Sequence, residues 1–184
     1  VLIGELINGL DELGLRENTT IVLWSDHGYF LGEHGFWCKH STFQEAAKIP
    51  LIISSPNYVQ NKKTDSFTEL VDLYPTLCEI AQITPPSYIH GKSLTPVLNN
   101  PSIRLKNEIY TRYKEGEAIV DENYSYTEFY RGEKYLGNML YDMKKDTKQN
   151  TDISKLSINK ELVKKYSEKL QIMRDFVNKD YLEK

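Results

Sequence analysis

Apolar side chains fall at Leu2, Ile3, Leu6, Ile7, Leu10 and Leu13, a three-to-four spacing that predicts one helical face with Gly14 as its stop. No capping residue precedes this pattern, so it reads as a helix already under way at Val1. After Asn18-Thr19-Thr20 the period changes. Ile21-Val22-Leu23-Trp24 is an unbroken apolar run with β-branched members, the habit of strands buried on both faces in the parallel sheets of α/β proteins. A second such run, Leu51-Ile52-Ile53, follows Pro50. Between the two, residues 28–48 are rich in glycine, aromatics and histidine without a period, and predict an ordered loop; residues 56–66 predict a polar surface loop. Phe67 to Val71 suggests a short strand. Asp72 then reads as an N-cap, with Pro75 in the first turn and Leu73, Leu77, Ile80 and Ala81 as the buried face, until Pro85-Pro86 blocks the helix.

Beyond residue 105 the texture shifts to short tyrosine-rich segments: Glu108–Tyr113, Ala118–Val120, Tyr124–Tyr130 and Met139–Tyr141. Turn residues separate them, which predicts an antiparallel meander. From Asn159 to Val177, the residues Leu162, Val163, Tyr166, Leu170, Met173 and Val177 recur on one side of a helix. The expected fold class is therefore α/β. Residues 1–104 form a partial α/β core, and residues 105–184 a small antiparallel-sheet α+β subdomain with a C-terminal helix.

Composition narrows the function. The chain has 184 residues, 40% hydrophobic and 27% charged, which suits a soluble globular domain. A net charge of −3 argues against nucleic-acid binding through bulk positive charge. No apolar run is long enough for a membrane span. Cys38 and Cys78 show no spacing of a zinc site or redox pair, leaving two free thiols or one disulfide as the alternatives. There is neither an initiating Met nor a signal peptide before Val1, and the chain reads as a portion cut from a longer one.

Candidate chemistry concentrates in residues 25–40. Ser25-Asp26-His27-Gly28 follows a predicted strand, and ligands of open α/β sheets bind outside the carboxyl ends of strands. Asp26 and His27 can turn toward one cation, through oxygen and ring nitrogen. Gly28 lets the backbone turn away, and Lys39 can reach an anionic group at the same place. His34 either stands behind such a site or holds the loop. His40 either assists Lys39 in anion binding or is a surface histidine. His90 reads as a turn residue, and Glu33 is a general base by type alone. No nucleophile elbow, phosphate loop or dinucleotide fingerprint occurs.

These residues carry a resemblance. Thr20 to Gly28, then Leu31-Gly32-Glu33-His34-Gly35, Trp37, Lys39 and Ile49-Pro50-Leu51-Ile52-Ile53, closely resemble the C-terminal part of type I sulfatases, members of the alkaline-phosphatase-like superfamily. The Asp-His pair is similar to that of iduronate-2-sulfatase, choline sulfatase and the phosphonate monoester hydrolases. Val71 to Leu77, His90-Gly91-Lys92-Ser93-Leu94, the strands after Ala118, and Leu140-Tyr141-Asp142-Met143 with Asp146 look like further family segments. The resemblance implies an alkaline-phosphatase-like wound sheet, with Asp26 and His27 as metal ligands and Lys39 as the catalytic residue on the sulfate. It also implies a divalent cation, calcium by family habit. Manganese or zinc are alternatives, because an imidazole is softer than calcium prefers. A formylglycine, whose hydrated aldehyde attacks sulfur, is implied in an N-terminal region, and a periplasmic, secreted or lysosomal setting follows the same habit.

The family's Cys/Ser-x-Pro-x-Arg nucleophile motif and its paired N-terminal aspartates do not occur among these residues; Cys38 is followed by Lys39-His40-Ser41-Thr42. The expectation is half an active site, with the N-terminal half of the same protein as partner and no turnover by this chain alone. The expected substrate is a sulfate ester, in particular a sulfated glycan, held by Lys39, His40 and Trp37, with Tyr29, Phe30, Phe36 and Trp37 as an aromatic wall. The alternatives are a phosphonate monoester or phosphodiester hydrolase of the same superfamily, or a non-catalytic binding subunit that kept the fold.

Overall fold

The computed structural model describes residues 2–182. The first predicted helix forms over Leu2–Glu12 (α1) and is stopped by Gly14, which takes the left-handed φ of +66° that favours glycine. Its apolar stripe faces outward: Leu2, Ile3 and Leu6 are all exposed. Then follow β1 (Ile21–Trp24), a small hairpin of β2 (Phe30–Leu31) and β3 (Trp37–Cys38), the single turn α2 (Gln44–Ala47), and β4 (Leu51–Ser54).

The two apolar runs do not enter a parallel sheet. β1 and β4 pair with each other antiparallel, Val22 opposite Ile53 and Leu23 opposite Ile52. The connection between them is a returning loop, not a crossover helix long enough to bring a strand back parallel. Nor is the ribbon buried on both faces, since Leu23, Trp24 and Ile52 are exposed.

Residues 67–69 form no strand; a 3-10 turn over Leu70–Asp72 leads directly into α3 (Leu73–Ile80). The buried side of α3 also differs from the predicted one: Leu73, Pro75, Thr76 and Cys78 are covered, while Leu77 is exposed. Thr76 is covered because its hydroxyl accepts the Leu94 N–H at 2.8 Å, which seats the 91–94 segment against the helix. Asp72 is fully buried and does not cap α3 with its side chain. Its carboxylate accepts the N–H groups of Glu69 and Lys92, each at 2.8 Å, and pairs with Lys106. Gly91 passes so close to Val71 that a Cβ would lie 1.9 Å from its carbonyl oxygen. Cys38 and Cys78 are free thiols.

After α4 (Thr95–Asn99) comes the meander, an antiparallel sheet of β5 (Glu108–Tyr113), β6 (Gly116–Asp121), β7 (Tyr124–Arg131) and β8 (Lys134–Asp142) in sequential order. The long α5 (Lys160–Leu182) closes the described chain. The sheet's two faces do different work, as the period of two requires. On one face Ile119, Tyr126 and Leu140 pack against Tyr166 and Leu170 of α5. On the other, Tyr141, with Met143 just beyond β8, packs against Phe30, Phe43 and Ala46 of the loop between β1 and β4. That second core ties the loop to the sheet. No helix among the described residues is long and apolar enough to cross a membrane.

Candidate functional site

β1 delivers the chain to Ser25, whose hydroxyl donates to the His27 carbonyl at 2.7 Å and closes a turn. Within that turn the His27 N–H donates to Asp26 Oδ1 at 3.1 Å. Gly28 then runs along α2: its N–H donates to the Ala46 carbonyl at 2.7 Å, and a Cβ there would lie 2.0 Å from the Glu45 carbonyl oxygen. Only glycine permits an approach that close.

The orientation of the His27 ring follows. Its Nδ1 lies 2.7 Å from the Gly28 carbonyl oxygen, which can only accept, so Nδ1 carries the proton. Nε2 keeps the lone pair and lies 2.6 Å from Lys39 Nζ, an ammonium that can only donate. Asp26 Oδ2 stands 3.4 Å from the same nitrogen. Carboxylate, imidazole and ammonium thus meet beyond the carboxyl end of β1. The meeting point is open to solvent, with the Asp26 side chain 79% exposed and His27 31%.

Lys39 reaches this point from the β2–β3 hairpin, in which Phe30 lies opposite Cys38 and Leu31 opposite Trp37. Leu31 and Trp37 are exposed, as are Tyr29 and Phe36. Phe30 is wholly buried in the loop–sheet core, so it forms no part of the aromatic wall expected of it; strand alternation turns it inward. His40 is exposed, and its ring stacks on Tyr113 at 5.4 Å while Nδ1 lies 2.8 Å from the Tyr113 hydroxyl. The sequence carries no local signal for this contact, because Tyr113 sits at the end of β5 and reads only as a strand tyrosine.

His34 holds the loop. Its ring stacks on Phe43 at 4.3 Å and its Nε2 lies 3.7 Å from Glu45 Oε2. Glu33 accepts the Leu31 N–H at 2.6 Å, and that backbone hydrogen bond, with one from its own N–H, holds its carboxyl below the usual range. It is a turn cap, not the poised base its type allowed. His90 places its ring 5.2 Å from Phe176 of α5.

The donor set suits part of a divalent-cation site. One carboxylate and one imidazole with a fixed tautomer face each other, the imidazole lone pair engaged by Lys39, and Nδ1–H is anchored on a carbonyl as metal-binding histidines usually are. Two protein ligands fall short of a full coordination shell. Among the described residues, no group of three or more His, Cys, Asp or Glu could hold a metal ion.

Residues 32–175 match the family model for N-sulphoglucosamine sulphohydrolase, C-terminal. The chain belongs to this family. Lys39 lies within the segment matched to N-sulphoglucosamine sulphohydrolase, while Asp26 and His27 precede it. An N-acetylglucosamine-6-O-sulfatase of Bacteroides thetaiotaomicron is 34% identical over 184 residues, covering 94% of this chain and 32% of the relative. A structure solved in complex with its substrate D-glucosamine-2-N,6-O-disulfate superposes with a TM-score of 0.84 at 29% identity, over 98% of this chain and 38% of that one. A phosphonate monoester hydrolase from Silicibacter pomeroyi reaches a TM-score of 0.86 at 22% identity, over 97% of this chain and 38% of that one, which shows a common fold. That fold is the alkaline-phosphatase-like one. The chain spans 27% and 32% of the length of two of the curated relatives it matches.

Proposed function

We propose that this chain is part of a sulfuric ester hydrolase acting on a sulfated sugar. In this reading Asp26 and His27 hold a divalent cation and Lys39 contacts the sulfate. The observation that carries the reading is the meeting of Asp26 Oδ2, the unprotonated His27 Nε2 and Lys39 Nζ, within 2.6 to 3.4 Å, on a chain of this sulphohydrolase family. A bound cation would supply charge neutralisation at the sulfuryl oxygens. Lys39 places a second positive charge at the same oxygens, where charge is held as the ester bond breaks. Gly28, through its carbonyl, keeps the His27 lone pair directed into the site. Calcium fits the carboxylate; the imidazole leaves manganese and zinc in contention.

Residues 1–104 then carry half the site and residues 105–184 the sheet that supports it. The remaining ligands and a formylglycine nucleophile belong to the N-terminal portion of the same protein, in a periplasmic, secreted or lysosomal setting. The test is turnover by the full-length protein of 6-O- and N-sulfated glucosamine beside a phosphonate monoester. Sulfate release that is lost in Asp26→Asn and Lys39→Met supports the proposal. A preference for the phosphonate would select the hydrolase alternative, and no turnover of either by metal-loaded enzyme would select a binding subunit. At the rim, Trp37 is 66% exposed and His40 borders Lys39. Trp37→Ala is expected to raise KM about tenfold, the loss of one ring stacked on a sugar face, with the melting temperature unchanged.

A further inference from the structure

The segment that runs on from the end of β8, Asp142 to Asp152, lies far from the site in sequence and contributes nothing to it directly. It is nonetheless built with care. Asp142 accepts the N–H groups of Lys144 and Lys145 at 3.0 and 3.2 Å, and Asp146 Oδ2 accepts that of Thr151 at 2.7 Å. The Gln149 N–H donates to the Asp146 carbonyl at 3.0 Å. These bonds fold the segment into a turn that holds Gln149 at a left-handed φ of +56°, unusual for a residue with a side chain. Gln149 is 2% exposed. Its amide nitrogen donates to Ser125 Oγ of β7 at 2.8 Å, and its amide oxygen accepts the Gln44 N–H, the first of α2, at 2.8 Å.

We propose that Gln149 is a positioning residue for the site, a peg that fixes α2 to the sheet and through α2 sets the His27 ring. The path is continuous: Ser125 to Gln149, Gln149 to Gln44, α2 to Gly28 through the Ala46 carbonyl, and the Gly28 carbonyl to His27 Nδ1. Both ends of the amide are engaged, and a rotation of the amide would turn its nitrogen toward the Gln44 N–H and lose that bond, the one that reaches α2. The apolar contacts of Phe43 and Ala46 with Tyr141 and Met143 press α2 toward the sheet but leave its sliding unopposed; the Gln149 amide supplies direction. The turn at Asp142–Thr151 exists, on this account, to present one side chain.

The proposal rests on the reading that Asp26, His27 and Lys39 are the working site, and the experiment separates the two. In the full-length protein, Gln149→Met removes both bonds at similar volume. Gln149→Glu keeps the acceptor for Gln44 and takes the Ser125 hydroxyl as donor. Leu170→Ala destabilises the opposite face of the sheet as a control for general loosening. The readouts are hydrogen exchange at the Gly28 amide, the His27 ring resonances, and steady-state kinetics on the sulfated substrate. Gln149→Met is expected to speed Gly28 exchange about tenfold, roughly one hydrogen bond, to shift the His27 resonances, and to lower kcat with KM unchanged; Gln149→Glu restores all three. Gly28 exchange that Leu170→Ala accelerates as much, at a matched fall in Tm, would overturn the proposal. Should Gln149→Met not fold, Ser125→Ala breaks one bond alone and must show the same signature in part. Exchange and resonances that move as expected in a protein without sulfatase turnover would uphold the peg and defeat the functional reading.

Discussion

A methyl group at Gly28 would stand 2.0 Å from the Glu45 carbonyl oxygen and 2.9 Å from its carbonyl carbon, both backbone atoms of α2 that no rotamer change can move aside. Gly28→Ala therefore has to push α2 away from the turn that carries Asp26 and His27. Overpacking of this kind costs about 3 kcal/mol, which denaturant unfolding should register as a fall in midpoint. Activity of the full-length protein should fall further than stability accounts for, because the strained residue is the one whose carbonyl orients the imidazole. Such a role was legible at residue scale: the glycine after Asp-His, at a strand end, already read as a place where a side chain would obstruct. Phe30 was not. In a stretch of Gly28-Tyr29-Phe30-Leu31 every aromatic looks alike, and only the packing of Phe30 in one core with Phe43 and Tyr141 reveals which one turns inward.

At the scale of elements, the buried pairing of Asp72 with Lys106 joins α3 to the strand that opens the meander, since Glu69 accepts both the Lys106 ammonium and the Tyr110 N–H. Lys106→Met would strand a fully buried carboxylate and is expected to cost about 3 to 5 kcal/mol, as denaturant unfolding would show. A second join holds α5. Burial pushes the Asp121 carboxyl up, but the Tyr166 hydroxyl, the Tyr124 and Asn123 N–H groups and Lys169 outweigh burial and leave it below its ordinary value. A lowered carboxyl favours the folded state above the unfolded aspartate value, at about pH 4, and ceases to do so as the pH falls through its own. Tyr166→Phe should thus lose most stability near neutrality and least in acid, as urea midpoints across that range would show. The 3.6-residue period made α5 readable in the sequence, and short tyrosine-rich segments between turn residues did the same for the meander. The buried side of α3 was not readable, because Thr76 goes inward for a hydrogen bond that no hydropathy pattern encodes.

For the molecule as a whole, the four-stranded sheet is a spine with a helix on one face and the site-bearing loop on the other. The apolar runs in β1 and β4 looked like strands with neighbours on both faces. Side chains as exposed as Leu23, Trp24 and Ile52 are what such strands present when the described residues supply only one layer. Consistent with a site that offers two protein ligands, the 184-residue chain is expected to show no sulfate ester turnover by itself at any concentration of calcium. On the proposed reading, an N-terminal portion of the same protein, produced separately and added, is expected to supply turnover, as a colorimetric aryl sulfate assay would register.

The hairpin of β2 and β3 divides its residues between two masters. Phe30 answers to the core, while Leu31 and Trp37, paired beside it, touch little but water. Variation at the outer positions is therefore decoupled from folding. If Lys39 contacts substrate as proposed, a lineage, or a library, can trade Leu31 and Trp37 for other side chains within a few residues of it without disturbing the core that holds Phe30. On that reading the outer face of the hairpin can change quickly where the core beneath it cannot.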